Sequence, residues 1–172
     1  MSATLYTISS FNFKPILVIV VLVSVLPFAT VLLALYLATG SVNFKIPAVI
    51  GVLTLPLTIF LLAQLIMVKI VTEETQLTVG GGLYKETIAR SAIRGEAIVT
   101  LDSAELRKAL GIRVNGVGLP GFLLGWFQPR GGRKVFVLQT AGRAVLVPTT
   151  GAYDVIVSPD DTQAFIADLQ RR

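Results

Sequence analysis

The sequence predicts a two-helix transmembrane hairpin followed by a mainly-β domain that ends in an α-helix. Residues 1–71 hold only three charged side chains, although the whole chain has 15 lysines and arginines and 10 aspartates and glutamates. Two long runs within that first part carry no charge at all. From residue 72 onward the pattern changes to short apolar segments separated by glycine, which is typical of strands and turns.

The two uncharged runs are long enough to cross a bilayer. They cover Pro15–Thr39 and Ile46–Val68, and about 20 apolar residues suffice for a helix to cross roughly 30 Å of hydrocarbon. Both runs are apolar around the whole helix circumference rather than on one face. The segment between them is short and polar, so we expect residues 1–71 to form a hairpin with spans at about 15–39 and 46–68.

Lysine placement predicts the orientation of the hairpin. Lys14 and Lys69 flank its outer ends, whereas the turn contains only Lys45. The positive-inside tendency therefore places both termini and the β domain in the cytoplasm, in a multi-pass protein of the cell (inner) membrane. A cleaved signal peptide is a weaker interpretation of the first run, which lacks a basic leader and is too long.

Residues 72–172 are predicted to form the β domain. Three consecutive glycines, 80–82, separate the first two strand candidates and supply the positive φ of a tight turn. The strand candidates are Gln76–Val79, Leu83–Ile88, the AIVTL stretch ending at Leu101, Arg133–Gln139, Ala144–Val147 and Tyr153–Val157. Short strands at this spacing indicate an antiparallel sandwich or a partly open barrel. Ser103–Leu110 is either a short helix or a structured excursion.

The end of the chain changes to helical periodicity. Ser158 can cap free amides, Pro159 suits a first helical position, and two aspartates follow where the helix dipole is positive. Phe165 and Leu169 then share one face. This pattern predicts a helix over residues 159–170 that closes one end of the β structure.

Composition excludes most familiar active sites. The chain has no cysteine and no histidine, so disulfides, thiolate nucleophiles, imidazole bases and the usual zinc and haem ligand sets are absent. The glycine-rich residues 111–132 lack the GK[ST] ending of a phosphate loop and are better explained by bulges and tight turns. We therefore expect no enzyme, no catalytic residue, no cofactor and no metal.

Several runs in the domain resemble a known family. They are Gly111-Ile-Arg113-Val-Asn-Gly116, Leu119-Pro-Gly121, Gly125-Trp-Phe127, the VFVLQT and AVLVPTT strands, Tyr153, and Ser158-Pro159-Asp160 leading to Phe165-Ile166. Over roughly Glu74 to Leu169 the chain is similar to the bacterial pleckstrin-homology-like (PH-like) domains of small membrane proteins. The resemblance implies two roughly orthogonal antiparallel sheets closed by the C-terminal helix, and it supplies no catalytic motif.

The charge within the domain is unevenly distributed. Residues 106–153 contain seven basic side chains and no acidic one. With the nearby tryptophan, the candidate binding residues are Arg107, Lys108, Arg113, Trp126, Arg130, Arg133, Lys134 and Arg143. One hypothesis is that they face anionic lipids of the cytoplasmic leaflet, where each cation is worth about 1 kcal/mol, or a protein partner. The other is an ordinary solvated surface with Trp126 in the core.

These observations favour a membrane-anchored, non-enzymatic binding module. Its PH-like domain would engage a protein partner, such as another membrane protein, or anionic lipid headgroups at the cytoplasmic face. The alternative is a structural or assembly subunit, in which the helices pack with other membrane helices and the domain forms homo-oligomers. We do not expect nucleic-acid binding, because the basic segment contains no recognition helix or single-strand-binding motif.

Overall fold

The computed structural model describes residues 4–8, 13–41, 44–140 and 143–171. The chain divides into a helical unit, Phe13–Ile66, and a β domain made of Met1–Asn12 together with Met67–Arg172. The predicted boundary after residue 71 therefore lies inside the β domain. The boundary was drawn where charged residues become frequent, whereas the first strand after the helices already begins at Lys69.

The helical unit contains α1 (Phe13–Val20), a π-helical turn (Val21–Val25), α2 (Leu26–Thr39) and α3 (Lys45–Ile66). The π turn ends two residues before Pro27, which has no N–H to donate to the previous turn. By length and composition, the continuous helix Lys14–Thr39 and the helix Lys45–Ile66 can each cross a membrane. These two helices suggest association of the chain with a membrane.

A hydrogen bond between hydroxyl groups joins the two long helices. The Oγ of Ser24 lies 2.7 Å from the Oγ1 of Thr58, which is 5% exposed. Thr58 uses its hydroxyl hydrogen on the carbonyl oxygen of Thr54, at 3.0 Å, so Ser24 is the donor to Thr58. Large apolar side chains on the outside of the helical unit are exposed; Leu37, for example, is 74% exposed. Such an exposed apolar surface is more favourable in hydrocarbon than in water.

The first sheet of the β domain has four antiparallel strands in chain order: β1 (Thr4–Tyr6), β2 (Lys69–Thr72), β3 (Gln76–Gly81) and β4 (Tyr84–Ala89). The predicted hairpin through the three glycines is confirmed. β1, which precedes the helical unit, was not predicted. Because β1 and β2 flank the helical unit and pair with each other, the helices must return to the side from which they start.

The second sheet has six strands: β5 (Val99–Leu101), β6 (Ile112–Leu119), β7 (Phe122–Gln128), β8 (Lys134–Thr140), β9 (Ala144–Val147) and β10 (Tyr153–Val157). Their order is β5-β9-β10-β8-β7-β6. The prediction of two sheets and a C-terminal helix is confirmed. One detail is corrected, because β10 inserts between β8 and β9 and runs parallel to β8. Sequence patterns predict strands but not their order in a sheet.

Glycine explains why β6 and β7 were predicted only as bulges and turns. Gly116 (φ 144°) and Gly125 (φ 128°) are paired across the two strands. A Cβ on Gly116 would collide with the carbonyl oxygen of Leu124, and a Cβ on Gly125 with that of Asn115. The glycines are therefore required by the close approach of two strands. A bulge is present between Arg113 and Asn115.

Helix α4 (Ser103–Leu110) lies on the outer face of the second sheet. The carboxylate of Asp102 accepts from the amides of Ala104 and Glu105, both at 2.7 Å, and the Glu105 side chain accepts from the Asp102 amide at 2.9 Å. This capping box begins the helix. Leu106, Ala109 and Leu110 pack against a cluster formed by Phe127, Val135, Val137, Ala144 and Ile156.

Helix α5 (Thr162–Gln170) begins later than predicted. Asp161 caps it by accepting from the amide of Ala164 at 2.9 Å. Pro159 instead forms an isolated antiparallel bridge with Ile8, and Ser158 is fully buried. The helix-start residues 158–160 are thus held in extended backbone by the N-terminal segment. Two short 3₁₀ turns, Arg90–Ala92 and Gly95–Ala97, complete the described domain.

Candidate anion-binding surface

Six of the seven predicted basic residues have their backbone positions at one end of the second sheet. The register pairs Ile112 with Gln128, so β6 begins where β7 ends, and β8 begins just after the following turn. Gly111, which ends α4, packs against the backbone of Gln128 and Pro129. The last turn of α4 therefore meets the same end of the sheet. We call this surface the basic end; its cations are Arg107, Lys108, Arg113, Arg130, Arg133 and Lys134.

Arg143 lies elsewhere. It precedes Ala144, which pairs with Leu101 at the opposite end of the strands. Together with Asp102 and Glu105, it lines an open cleft at the start of α4. The structure therefore does not bring this predicted site residue together with the others.

Arg133 is used inside the fold. Its guanidinium donates to the carbonyl oxygens of Thr149, at 2.9 Å, and Gly151. It also forms an ion pair with Asp154, 3.4 Å away. Asp154 in turn accepts from the Thr149 amide at 2.8 Å. Arg133 thus fixes the loop between β9 and β10, and a carboxylate offsets its charge.

Trp126 is half-buried and packs within the domain. Its ring makes edge-to-face contacts with Phe136, at a centroid distance of 5.1 Å, and with Tyr153, at 4.8 Å. The ammonium of Lys134 lies 4.4 Å from the Trp126 ring centroid, in a cation–π contact. Trp126 is therefore a structural platform that holds Lys134 in place.

Among the described residues, two side-chain hydrogen bonds connect this region to the first sheet, and neither could be predicted from the sequence pattern. The Tyr153 hydroxyl donates to Glu86 on β4 at 2.9 Å, and the Tyr84 hydroxyl donates to Asn115 on β6 at 2.8 Å. Burial, and then the Glu86 carboxylate, raise the pKa of Tyr153 to about 12. Since both bonds involve the first half of β4, this part of the first sheet lies beside the basic end.

The remaining cations of the basic end are exposed and form no close ion pair with a carboxylate of the described residues. Arg107 and Lys108 lie in the last turn of α4 and Arg130 in the turn after β7, whereas Arg113 begins on β6 and extends its guanidinium along the strand to Gly118. Across residues 4–8, 13–41, 44–140 and 143–171, the ion pairs are Arg90–Asp168 and Arg133–Asp154. Four exposed cations without a paired carboxylate in that part of the chain can donate to phosphate or carboxylate oxygens.

A second polar cluster joins the first sheet to α5. The Asp168 carboxylate accepts from Arg90 at 2.8 Å, from Thr72 at 2.5 Å and from Tyr6 at 3.4 Å. Burial raises the pKa of Asp168, but the hydrogen bonds from Thr72 and Arg90 outweigh it and hold the pKa below its ordinary 3.8. We call these residues the Asp168 cluster. It fastens β1 and β2 to α5, and we assign it a structural role.

The described residues contain no group of three or more acidic side chains that could hold a metal ion. The family of the β domain is shown by a comparison of the sequence with family models: the model described as a bacterial PH domain matches residues 68–172. The chain belongs to the bacterial PH domain family. No curated protein and no solved structure matches it.

The match covers the β domain after α3 and confirms the resemblance described from the sequence. PH-like domains are typically binding modules rather than enzymes. The PH domain of this chain is accordingly a binding or interaction module that follows two apolar helices. The fold by itself names no ligand, so the ligand must be argued from the surface.

Proposed function

We propose that the chain is a membrane-anchored binding module whose basic end engages anionic lipid headgroups at the cytoplasmic face of the cell (inner) membrane. One observation carries the proposal. Arg107, Lys108 and Arg130 are exposed at one end of the PH domain, Arg113 extends from that end along β6, and none of the four forms an ion pair with a carboxylate of the described residues.

Because the helices anchor the PH domain, weak contacts are sufficient to hold its basic end at the lipid surface. Each cation near an anionic surface contributes about 1 kcal/mol, which is little for a free domain. β1 and β2 fasten both flanks of the helical unit to the PH domain, so the domain cannot diffuse away from a membrane that the helices cross. Tethering converts such contacts into an intramolecular equilibrium at high effective concentration. We therefore expect a reversible, salt-sensitive association with the surface.

Lipid is favoured over a protein partner by the chemistry of the basic end. Its four exposed cations without a close ion pair are side chains of three separate segments, α4, β6 and the turn after β7. The aromatic residue of the region, Trp126, is packed inward against Phe136 and Tyr153, whereas protein interfaces are commonly anchored by exposed aromatic side chains. Cations on separate flexible side chains can each contact a different phosphate of a lipid surface.

The test uses the full chain in nanodiscs, because a fragment from residue 67 onward would lack β1. Hydrogen exchange of residues 107–113 and 128–134 is measured in phosphatidylcholine and in phosphatidylcholine mixed with phosphatidylglycerol. We expect slower exchange in the anionic discs, reversed by salt. The variant carrying Arg107→Gln, Lys108→Gln, Arg113→Gln and Arg130→Gln should lose that protection. The control Arg143→Gln should keep it.

Equal exchange in neutral and anionic nanodiscs would overturn the lipid proposal. Protection that appears in native membranes, and not in anionic nanodiscs, would assign the basic end to a protein partner instead.

A further inference from the structure

The outer face of the first sheet carries two lysines in one row. Lys69 on β2 pairs with Gly80 on β3, and Gly80 pairs with Lys85 on β4. Residues paired across neighbouring strands point to the same face of a sheet. Both lysines are exposed, and the glycine leaves a gap between them that is two strand spacings wide, about 10 Å. We call Lys69 and Lys85 the lysine row.

The face on which the lysine row lies has no acidic side chain in its neighbouring row. That row contains Val71, Thr78 and Thr87. Glu86 belongs to the opposite face and accepts the hydroxyl of Tyr153. The gap at Gly80 is also fixed, since its φ is +96° and a Cβ there would collide with the Tyr84 carbonyl oxygen.

An exposed leucine lies next to the lysine row. Leu83, in the turn between β3 and β4, is 71% exposed. The preceding Gly81 packs so closely on Met67 that a Cβ would collide with the Met67 carbonyl oxygen. Met67 directly follows the last residue of α3 and is itself 57% exposed. Two cations and an apolar tip thus lie close to Met67 within the β domain.

We infer that this face is a second membrane contact, in which Leu83 enters the boundary between headgroups and acyl chains and the lysine row binds phospholipid phosphates. An apolar side chain flanked by lysines fits that boundary, because the methylene groups of each lysine lie along the acyl chains while its ammonium group stays at the phosphates. Met67, on which Gly81 packs, follows α3 directly in the sequence, and α3 is long and apolar enough to cross a membrane. The inference rests on the membrane anchoring in the proposed function and is separate from the basic end.

The absence of native cysteine allows a direct test in the full chain. Leu83→Cys is labelled with an environment-sensitive fluorophore and reconstituted in phosphatidylcholine–phosphatidylglycerol vesicles that contain a lipid-borne quencher. Thr75→Cys is the matched control, because Thr75 is exposed in the turn at the opposite end of β3. Leu37→Cys in α2 reports on the anchor. We expect blue-shifted, quenched emission at positions 83 and 37 and neither effect at 75.

The quenching pattern distinguishes failure of this inference from failure of the anchor. Quenching at 37 without quenching at 83, or equal quenching at 83 and 75, overturns the inference and leaves the anchor intact. Loss of quenching at 37 refutes the anchor and, with it, the proposed function.

A second variant tests the lysines. Lys69→Gln with Lys85→Gln should lose the blue shift at position 83, while Arg143→Gln with Arg171→Gln, which removes the same charge elsewhere, should keep it. Equal spectra in the two double variants would refute the role of the lysine row.

Discussion

Replacing Asp168 by asparagine should destabilise the PH domain by about 2 kcal/mol. Asparagine keeps the shape of the side chain but loses the charge and one acceptor oxygen, so the hydrogen bonds from Arg90 (2.8 Å) and Thr72 (2.5 Å) cannot both persist. A hydrogen bond to a charged group contributes about 1.5–3 kcal/mol. Because the Arg90 and Asp168 side chains remain 19% and 22% exposed, we take the lower part of that range.

Thermal unfolding of the full chain in detergent measures this effect. Trp126 is the only tryptophan and lies in the second sheet, so its fluorescence reports on the PH domain. For a domain of roughly 100 residues, about 2 kcal/mol corresponds to a fall in Tm of about 10 °C. Asp160→Asn is the control, since Asp160 is exposed, and it should stay within about 0.5 kcal/mol of the wild type.

The pH dependence should change with the same substitution. The pKa of Asp168 is lowered in the folded state, so its stabilisation is present above the ordinary value of 3.8 and is lost as the pH falls through the lowered value. Asp168→Asn should therefore flatten the acid side of the stability curve. If Asp168→Asn and Asp160→Asn have the same Tm at neutral pH, the Asp168 cluster does not fasten β1 to α5.

Three further substitutions probe separate parts of the fold. Gly80→Ala should cost more than about 3 kcal/mol, because its Cβ meets fixed backbone, whereas Gly121→Ala, at φ +76° in open space, should cost about 1–2 kcal/mol; equal melting temperatures would contradict this. The raised pKa means that neutral Tyr153 stabilises the wild type, and that this stabilisation is lost as the pH rises from 10.0 to about 12; Tyr153→Phe should remove it. If denaturant titrations give Tyr153→Phe the same dependence of unfolding free energy on alkaline pH as the wild type, the assignment is refuted. Thr58→Val should weaken the helical unit by about 0.6 kcal/mol through the lost bond from Ser24; detergent-unfolding curves coincident with wild type would contradict that role.

The sequence predicted strands well where short apolar runs are bounded by turn residues. Ala144–Val147 and Tyr153–Val157 occur in the structure with the predicted bounds. β1 was missed because three residues form it only through pairing with β2, across the whole helical unit. β6 and β7 were missed because glycine weakens a strand considered alone, while here Gly116 and Gly125 permit the two backbones to meet.

The candidate surface was predicted in composition but not in arrangement. Counting charges identified a segment without carboxylates, yet it could not show that Arg143 lies at the far end of the strands or that Asp154 pairs with Arg133. Both facts depend on strand order. Lys69 and Lys85 lay outside the counted segment, and pairing through Gly80 brings them into one row.

The central claim is that two helices cross the membrane and hold the PH domain at the anionic cytoplasmic surface. Its most direct test is labelling of single cysteines in intact cells with a membrane-impermeant maleimide. Ser41→Cys, after α2, should react from outside, and Thr75→Cys, in the PH domain, should react only after the membrane is opened. Labelling of Thr75→Cys in intact cells, with Ser41→Cys protected, would contradict the account.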